Sequence, residues 1–172
     1  SEEALSCIER HCYRYSPEEF FPTEEEQHQF LRFLHPRIGL YARLSDMHNC
    51  GLLGRMFPEF HKIYCRVIRD FYHKFTVDEH TLLTIQNLES LCVQKNKARE
   101  RFATVFRELH SPDLLVLALL FHDVGKWKAD SHAEESVRMV LGPLTRLQLP
   151  RDAIRTVKFL IRNHLQMSRV AF

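Results

Sequence analysis

The sequence predicts an all-α fold from three observations. Apolar residues recur at intervals of three and four in almost every segment, and no stretch alternates cleanly over many residues, which is a helical and not a strand period. Glycine is scarce and proline modest, at five and seven in 172 residues. Hydroxyl-proline-acid and hydroxyl-x-x-acid signals that start helices recur along the chain. The length suits one domain with a proper core rather than two. A 45% apolar composition belongs to a globule, not to a disordered chain.

Spacing alone predicts the first helix, over roughly 2–15. Ser16-Pro17-Glu18-Glu19 then sets a cap before a proline at the first helical position and opens a helix over roughly 18–34. Spacing again places helices over roughly 37–49 and 58–74, the second with His61, Tyr64, Cys65 and Ile68 on one face. Thr76-x-x-Glu79 reads as a capping box for roughly 77–94. A helix over roughly 97–109 follows by period, and Ser111-Pro112-Asp113 opens the apolar helix over roughly 112–124. Ser131-x-x-Glu134 is a second capping box, for roughly 132–141, with Gly142 as its stop. Pro150 begins the last helix, over roughly 151–166. Connections this short force neighbours to pack. Cys50-Gly51-Leu52-Leu53-Gly54 is the weakest point and reads as a tight turn. The expected organisation is an N-terminal helical segment over 1–50, packed on the same domain as the main unit over 51–172.

Twenty-four basic and 22 acidic side chains give a net charge of +2, which gives no support to a general nucleic-acid or membrane-binding surface. The longest apolar run, Leu114 to Phe121, has eight residues against the roughly 20 of a membrane-spanning helix. Ser1-Glu2-Glu3 does not open a signal peptide. The expectation is a soluble, cytoplasmic chain. Cys7, Cys12, Cys50, Cys65 and Cys92 are odd in number and form no Cys-x-x-Cys pair. They are expected to be reduced thiols buried as small apolar groups, not a zinc ribbon or disulfide scaffold. No glycine-rich phosphate loop, Gly-x-Ser-x-Gly elbow or His-Glu-x-x-His motif occurs.

The informative stretch is Leu119 to His132, where the greasiest helix ends in His122-Asp123, with Gly125, Lys126 and His132 following. His122 shares a stripe with Leu115, Ala118 and Leu119, and Asp123 one with Val116, Leu119 and Leu120. His80 shares a face with Val77, Leu83, Thr84, Asn87 and Leu91, and His164 follows Val157, Leu160 and Ile161. Four ionisable groups on three helices thus point with core residues. A buried aspartate needs a partner or a metal. Each histidine could separately find a backbone carbonyl, whereas one cation would satisfy the whole set. Imidazole and carboxylate suit zinc, iron, manganese, nickel or cobalt without thiolate. His132 could join the same ion or bind a second. Lys126 could grip a phosphate oxygen, or could be solvated. Glu79 fits the capping box better than a metal. His61 reads as a core or boundary residue, and His11, His28, His35, His48, His73 and His110 as surface residues. Arg66 and Arg69 could line a phosphate site but fit a solvated helix face better.

With His80, the His122-Asp123 doublet and Lys126, the chain resembles the HD superfamily of metal-dependent phosphohydrolases, which are all-helical. "GLLGRMFPEF" (51–60), "FTVDEHTL" (75–82), "LALLFHDVGK" (117–126) and "RNHLQMS" (162–168) look like the HD domain of bifunctional PII uridylyltransferase/uridylyl-removing enzymes, across about residues 40 to 168. The resemblance implies a single HD-type helical domain with an extra N-terminal helical group. It implies one or two divalent ions, with Mn, Mg, Fe, Zn, Ni and Co not distinguished, on the ligand positions His80, His122, Asp123, His132 and His164. It also implies catalytic roles for Asp123 and Lys126, and uridylylated PII signal protein as the substrate from which UMP is hydrolysed.

The chain departs from that pattern in three ways. The nucleotidyltransferase and ACT domains of such enzymes do not fit in 172 residues, so an excised domain is expected. Trp127-Lys128-Ala129-Asp130 replaces the glycines that usually follow the doublet's lysine. The distal aspartate has no counterpart before Phe172, and Asp130 and Asp152 are the nearest substitutes. Two other readings stay open: an HD-superfamily nucleotide or cyclic-dinucleotide phosphohydrolase, and a metal-free helical regulatory module.

Overall fold

The computed structural model describes residues 1–68, 75–93, 97–128 and 132–166, with the backbone alone for 97–99. Among them every regular element is helical, and the expected all-α class holds. The α-helices are α1 (Glu2–His11), α2 (Glu24–Phe33), α3 (Leu40–Asn49), α4 (Leu52–Met56), α5 (Pro58–His61) and α6 (Val77–Ser90). There follow α7 (Lys97–Arg107), α8 (Pro112–Phe121), α9 (His132–Met139), α10 (Leu141–Arg146) and α11 (Arg151–Asn163). Short 3-10 turns lie at Cys12–Arg14, Pro17–Phe20, Leu91–Val93 and Val124–Trp127. No helix among the described residues is long and apolar enough to cross a membrane.

Where elements differ from expectation, local chemistry gives the reason. The stretch 18–34 splits at Phe21-Pro22-Thr23, because a residue before proline is pushed out of the α region. Ser16 and Glu19 form the expected capping box on the first piece, and Thr23 and Glu26 form an unforeseen one on α2. Gly51, at φ 76°, ends α3 in the left-handed region and α4 begins at once, so the expected turn is a helix junction. The helix foreseen over 58–74 stops at His61. Cys65 turns left-handed at φ 49°, and its amide donates to the Asp78 carboxylate at 2.9 Å instead of continuing a helix. Residues 69–74 lie outside the described residues. Thr76 caps α6 without a side-chain bond, so the expected box with Glu79 does not form. The Ser131 box lies outside the described residues. Gly142 falls inside α10 rather than ending α9, and a β-carbon there would collide with Glu59, which pairs with Arg146 at 2.6 Å.

The core is one cluster that runs from Phe21 to Ile161. The helix α8 is apolar nearly all round and has Val116, Leu117, Leu120 and Phe121 fully buried, as a central helix must. It packs against α6 and α11, while α3 packs on α6 and α9 on α11. Phe57 joins the N-terminal helices to this centre, with ring centroids 5.8 Å from Phe21, 5.5 Å from Phe30 and 5.3 Å from Phe121. Each such pair adds about 0.5–1.5 kcal/mol beyond the area it buries. Because α8 is fixed on several sides, the residues at its C-terminal end are positioned rigidly.

Candidate metal centre

Helix α8 ends at Phe121, and His122 and Asp123 stand between it and the 3-10 turn Val124–Trp127. The backbone of Asp123 (φ −112°, ψ 6°) has left the helical region. That break lets two adjacent side chains, about 100° apart on a regular helix, converge. The His122 Nε2 lies 3.1 Å from Asp123 Oδ2. His80, one turn into α6, brings Nε2 to 3.7 Å from the same oxygen. On the other side, His164 at the end of α11 and His132 at the start of α9 bring Nε2 to 3.7 and 4.0 Å from Asp123 Oδ1. Two sets of three, His80–His122–Asp123 and Asp123–His132–His164, keep their ligand atoms within 4.8 Å of one another. Asp123, 1% exposed, is common to both.

The ring orientations follow from hydrogen bonds. His122 Nδ1 lies 2.6 Å from the Leu119 carbonyl, and His164 Nδ1 lies 2.6 Å from the Ile161 carbonyl. A carbonyl only accepts, so each Nδ1 carries the proton and, in the neutral ring, each Nε2 presents its lone pair inward. Two lone-pair donors and a carboxylate then face one another in a buried space. A cation between them is the arrangement that relieves this, and carbonyl-anchored imidazoles are the usual supports of metal ligands. Asp123 Oδ1 accepts no hydrogen bond among the described residues. The residues therefore fit a divalent ion. Burial pushes the Asp123 carboxyl up, but the hydrogen bond and charge of His122, when that ring is protonated at both nitrogens, followed by Lys126, outweigh it and hold the group well below the usual carboxylate range. Burial, the largest effect on His164, pushes its imidazole below the ordinary value, and the neutral form is the one that ligates.

Lys126 sits one turn of the 3-10 segment beyond Asp123, with Nζ 2.8 Å from Oδ2, so it is part of the cluster and not solvated. Gly125 makes this possible. Its amide donates to Ser136 Oγ at 2.8 Å, and a β-carbon there would collide with the His132 carbonyl and the Ser136 amide. The turn thus presses directly on α9. Trp127, in place of a glycine, folds onto the same helix, with Nε1 3.3 Å from Glu135 Oε1.

All five expected ligand positions and Lys126 come together, although His80 arrives from a rim position with its side chain 40% exposed. The buried residues of α6 are Val77, Asp78, Thr81, Leu82 and Ile85, and of the face expected to carry His80 only Val77 is among them. Other expectations need correction. His48 is not a surface residue, for its Nε2 lies 3.0 Å from the buried Asp78. His61 is exposed and stacked on Tyr64. Of the five free cysteines only Cys50 is buried. Asp152 is exposed at the far end of α11, paired with Arg155, and cannot replace a distal ligand. Asp130, Arg69 and His73 lie outside the described residues. Sequence reasoning missed Asp78. Its signal was the spacing Asp78, Leu82, Ile85, which sets it on the inward stripe of α6.

An all-helical domain whose helices deliver four imidazoles to one buried aspartate is the architecture of a metal-dependent phosphohydrolase of the HD class. The HD domain family matches residues 77–171, and the chain belongs to it. Among curated proteins, the bifunctional uridylyltransferase/uridylyl-removing enzyme of Azotobacter vinelandii is 35% identical over 143 residues, covering 83% of this chain and 16% of the relative. The enzymes of the same name from Pseudomonas fluorescens and Pseudomonas putida are each 35% identical over 145 residues, with the same coverage. The chain therefore spans about a sixth of the length of the curated relatives it matches. No solved structure matches it significantly.

Proposed function

We propose that this domain removes UMP from uridylylated PII signal protein, with His80, His122, Asp123, His132 and His164 holding one or two divalent ions and Lys126 acting beside them. The observation that carries the proposal is the convergence of four imidazoles and one ammonium on a single buried carboxylate. A bound divalent ion would supply Lewis-acid stabilisation and an acidified water. The chain's own residues do the rest. The Leu119 and Ile161 carbonyls fix two Nε2 atoms inward. Asp123, held ionised, supplies negative charge that a dication balances. The Lys126 ammonium, once shared with an incoming phosphate, offsets charge that builds on a non-bridging oxygen. Tyrosine, with a phenol pKa of about 10, leaves without strong acid assistance. Residues 51–172 form the HD unit on this reading, and 1–50 is a helical segment packed upon it. Nucleotidyltransferase and ACT domains would belong to a parent chain in the bacterial cytoplasm.

The test is release of UMP from uridylylated PII in the presence of manganese, magnesium or zinc. Wild-type protein is expected to release it, and the His122→Ala/Asp123→Ala double variant to release none while keeping its helical circular dichroism. Retained release in the double variant would rule the centre out. Faster turnover of free nucleotides or cyclic dinucleotides than of uridylylated PII would transfer the assignment to another HD phosphohydrolase activity.

A further inference from the structure

The centre continues on one side into an open groove of about 520 Å³ between α8 and α11. Leu115, Ala118, Leu119, Phe159 and Leu160 form its carbon wall, and His122 and His164 belong both to it and to the cluster around Asp123. Phe159 stands at the rim, 63% exposed. Pockets of this size with carbon walls and a few polar groups at one end take small organic groups.

We propose that this groove seats the aryl ring of the leaving group, a tyrosyl phenol esterified to the phosphate, against Phe159. This rests on the assignment of the centre as a uridylyl-removing phosphodiesterase and says which part of the substrate lies where. In the step, a water oxygen bonds to phosphorus and the P–O(aryl) bond breaks. The tyrosine hydroxyl departs with a proton, and UMP is left. The chemistry of the wall selects the phenyl ring over the other planar ring, uracil. Uracil brings an imide N–H and two carbonyls that need partners when buried. Two amide side chains, Asn163 and Gln166, line the groove, and one N–H of Asn163 is committed to the Phe159 carbonyl at 2.8 Å, which leaves few partners for the three polar groups of a uracil. A phenyl ring asks for carbon contact and one polar end, which the groove and the imidazoles provide. The open rim also admits a ring that is carried on a protein chain.

The experiment compares two probes by calorimetric titration with manganese present: phenyl phosphate, which has the ring and no base, and UMP, which has the base and no aryl ring. Phe159 is exposed, so its replacement does not threaten folding. Phe159→Ala is expected to weaken phenyl phosphate binding about threefold to tenfold and UMP binding by less than about twofold. Phe159→Tyr should restore the phenyl phosphate affinity. An unchanged phenyl phosphate affinity in Phe159→Ala, no phenyl phosphate binding by wild type, or an equal or larger loss for UMP would overturn the assignment. Hydrolysis of the p-nitrophenyl ester of UMP separates the two levels. If wild type fails to hydrolyse it, the phosphodiesterase reading falls. If wild type hydrolyses it and Phe159→Ala leaves KM unmoved, only the groove assignment falls.

Discussion

Gly125 and Asp78 show how single residues away from the ligand set hold it in place. Gly125 has no room for a β-carbon against α9, so Gly125→Ala must displace either the turn that carries Lys126 or the start of the helix that carries His132. A loss of about 1–3 kcal/mol is expected in urea unfolding, as for other overpacked sites, together with weaker metal binding. Asp78 accepts from the Cys65 amide and from His48 and ties α3 and the 62–68 segment to the first turn of α6, two residues before His80. Burial pushes its carboxyl up, but the His48 and Thr76 side chains and the Cys65 and Glu79 amides outweigh it and depress it well below the usual range. A depressed carboxylate contributes stability that is present above the unfolded value, about 3.9, and is lost as pH falls through the folded one. Asp78→Asn is therefore expected to cost about 1–3 kcal/mol at pH 7, and the gap from wild type should narrow below about pH 4. A gap of constant size from pH 7 to 3 would contradict this origin. His122, Asp123 and His164 were legible as candidate ligands because each had to be explained on an apolar stripe, whereas His80 was read on a face of α6 that is only partly buried and His132 from its nearness to the doublet. Asp78 had the inward spacing of Leu82 and Ile85 but not its partner, because the pairing with His48 joins residues 30 apart through packing that no local pattern encodes.

At the scale of elements, the period and the caps set helix existence, and tertiary bonds set the ends. Glu89 illustrates the second. From α6 it reaches back 50 residues to accept from the Gly39 and Tyr41 amides, both at 2.7 Å, and so caps the N-terminus of α3. Glu89→Ala leaves those amides and the helix dipole without their anion, and a loss of about 1–2 kcal/mol in urea unfolding is expected. By contrast the Arg162–Glu134 clamp between α11 and α9 is about half exposed on both sides, so Arg162→Ala should leave the urea midpoint close to that of wild type. Of the caps that local sequence can complete, the one at Ser16 and Glu19 was read, the one at Thr23 and Glu26 was missed, and the one expected at Thr76 and Glu79 does not form. The end of α5 at His61 was not, because the amide that turns the chain away finds its acceptor in Asp78, a residue of another helix. The helix expected over roughly 112–124 breaks after Phe121 into a 3-10 turn held by Ser136 of α9.

In the whole molecule, one core binds the N-terminal helices to those that carry the centre, with Phe57 at their junction. Phe57→Ala should cost about 3–5 kcal/mol and lower the midpoint of a single cooperative transition. Two separate transitions would mean that residues 1–50 fold apart from the rest. The all-α class was readable because helical period, scarce glycine and frequent caps agree along the chain, and consistency of that kind specifies a fold. The central claim is that the imidazoles of four helix ends share a cation with Asp123. Metal content per chain, measured by elemental mass spectrometry on protein purified without added ions, tests it most directly. Wild type is expected to carry one or two divalent ions, and Asp123→Ala none, with matching circular dichroism. A metal-free wild type that also fails to take up manganese, zinc or iron on titration, or an Asp123→Ala variant that retains its ion, would contradict the claim.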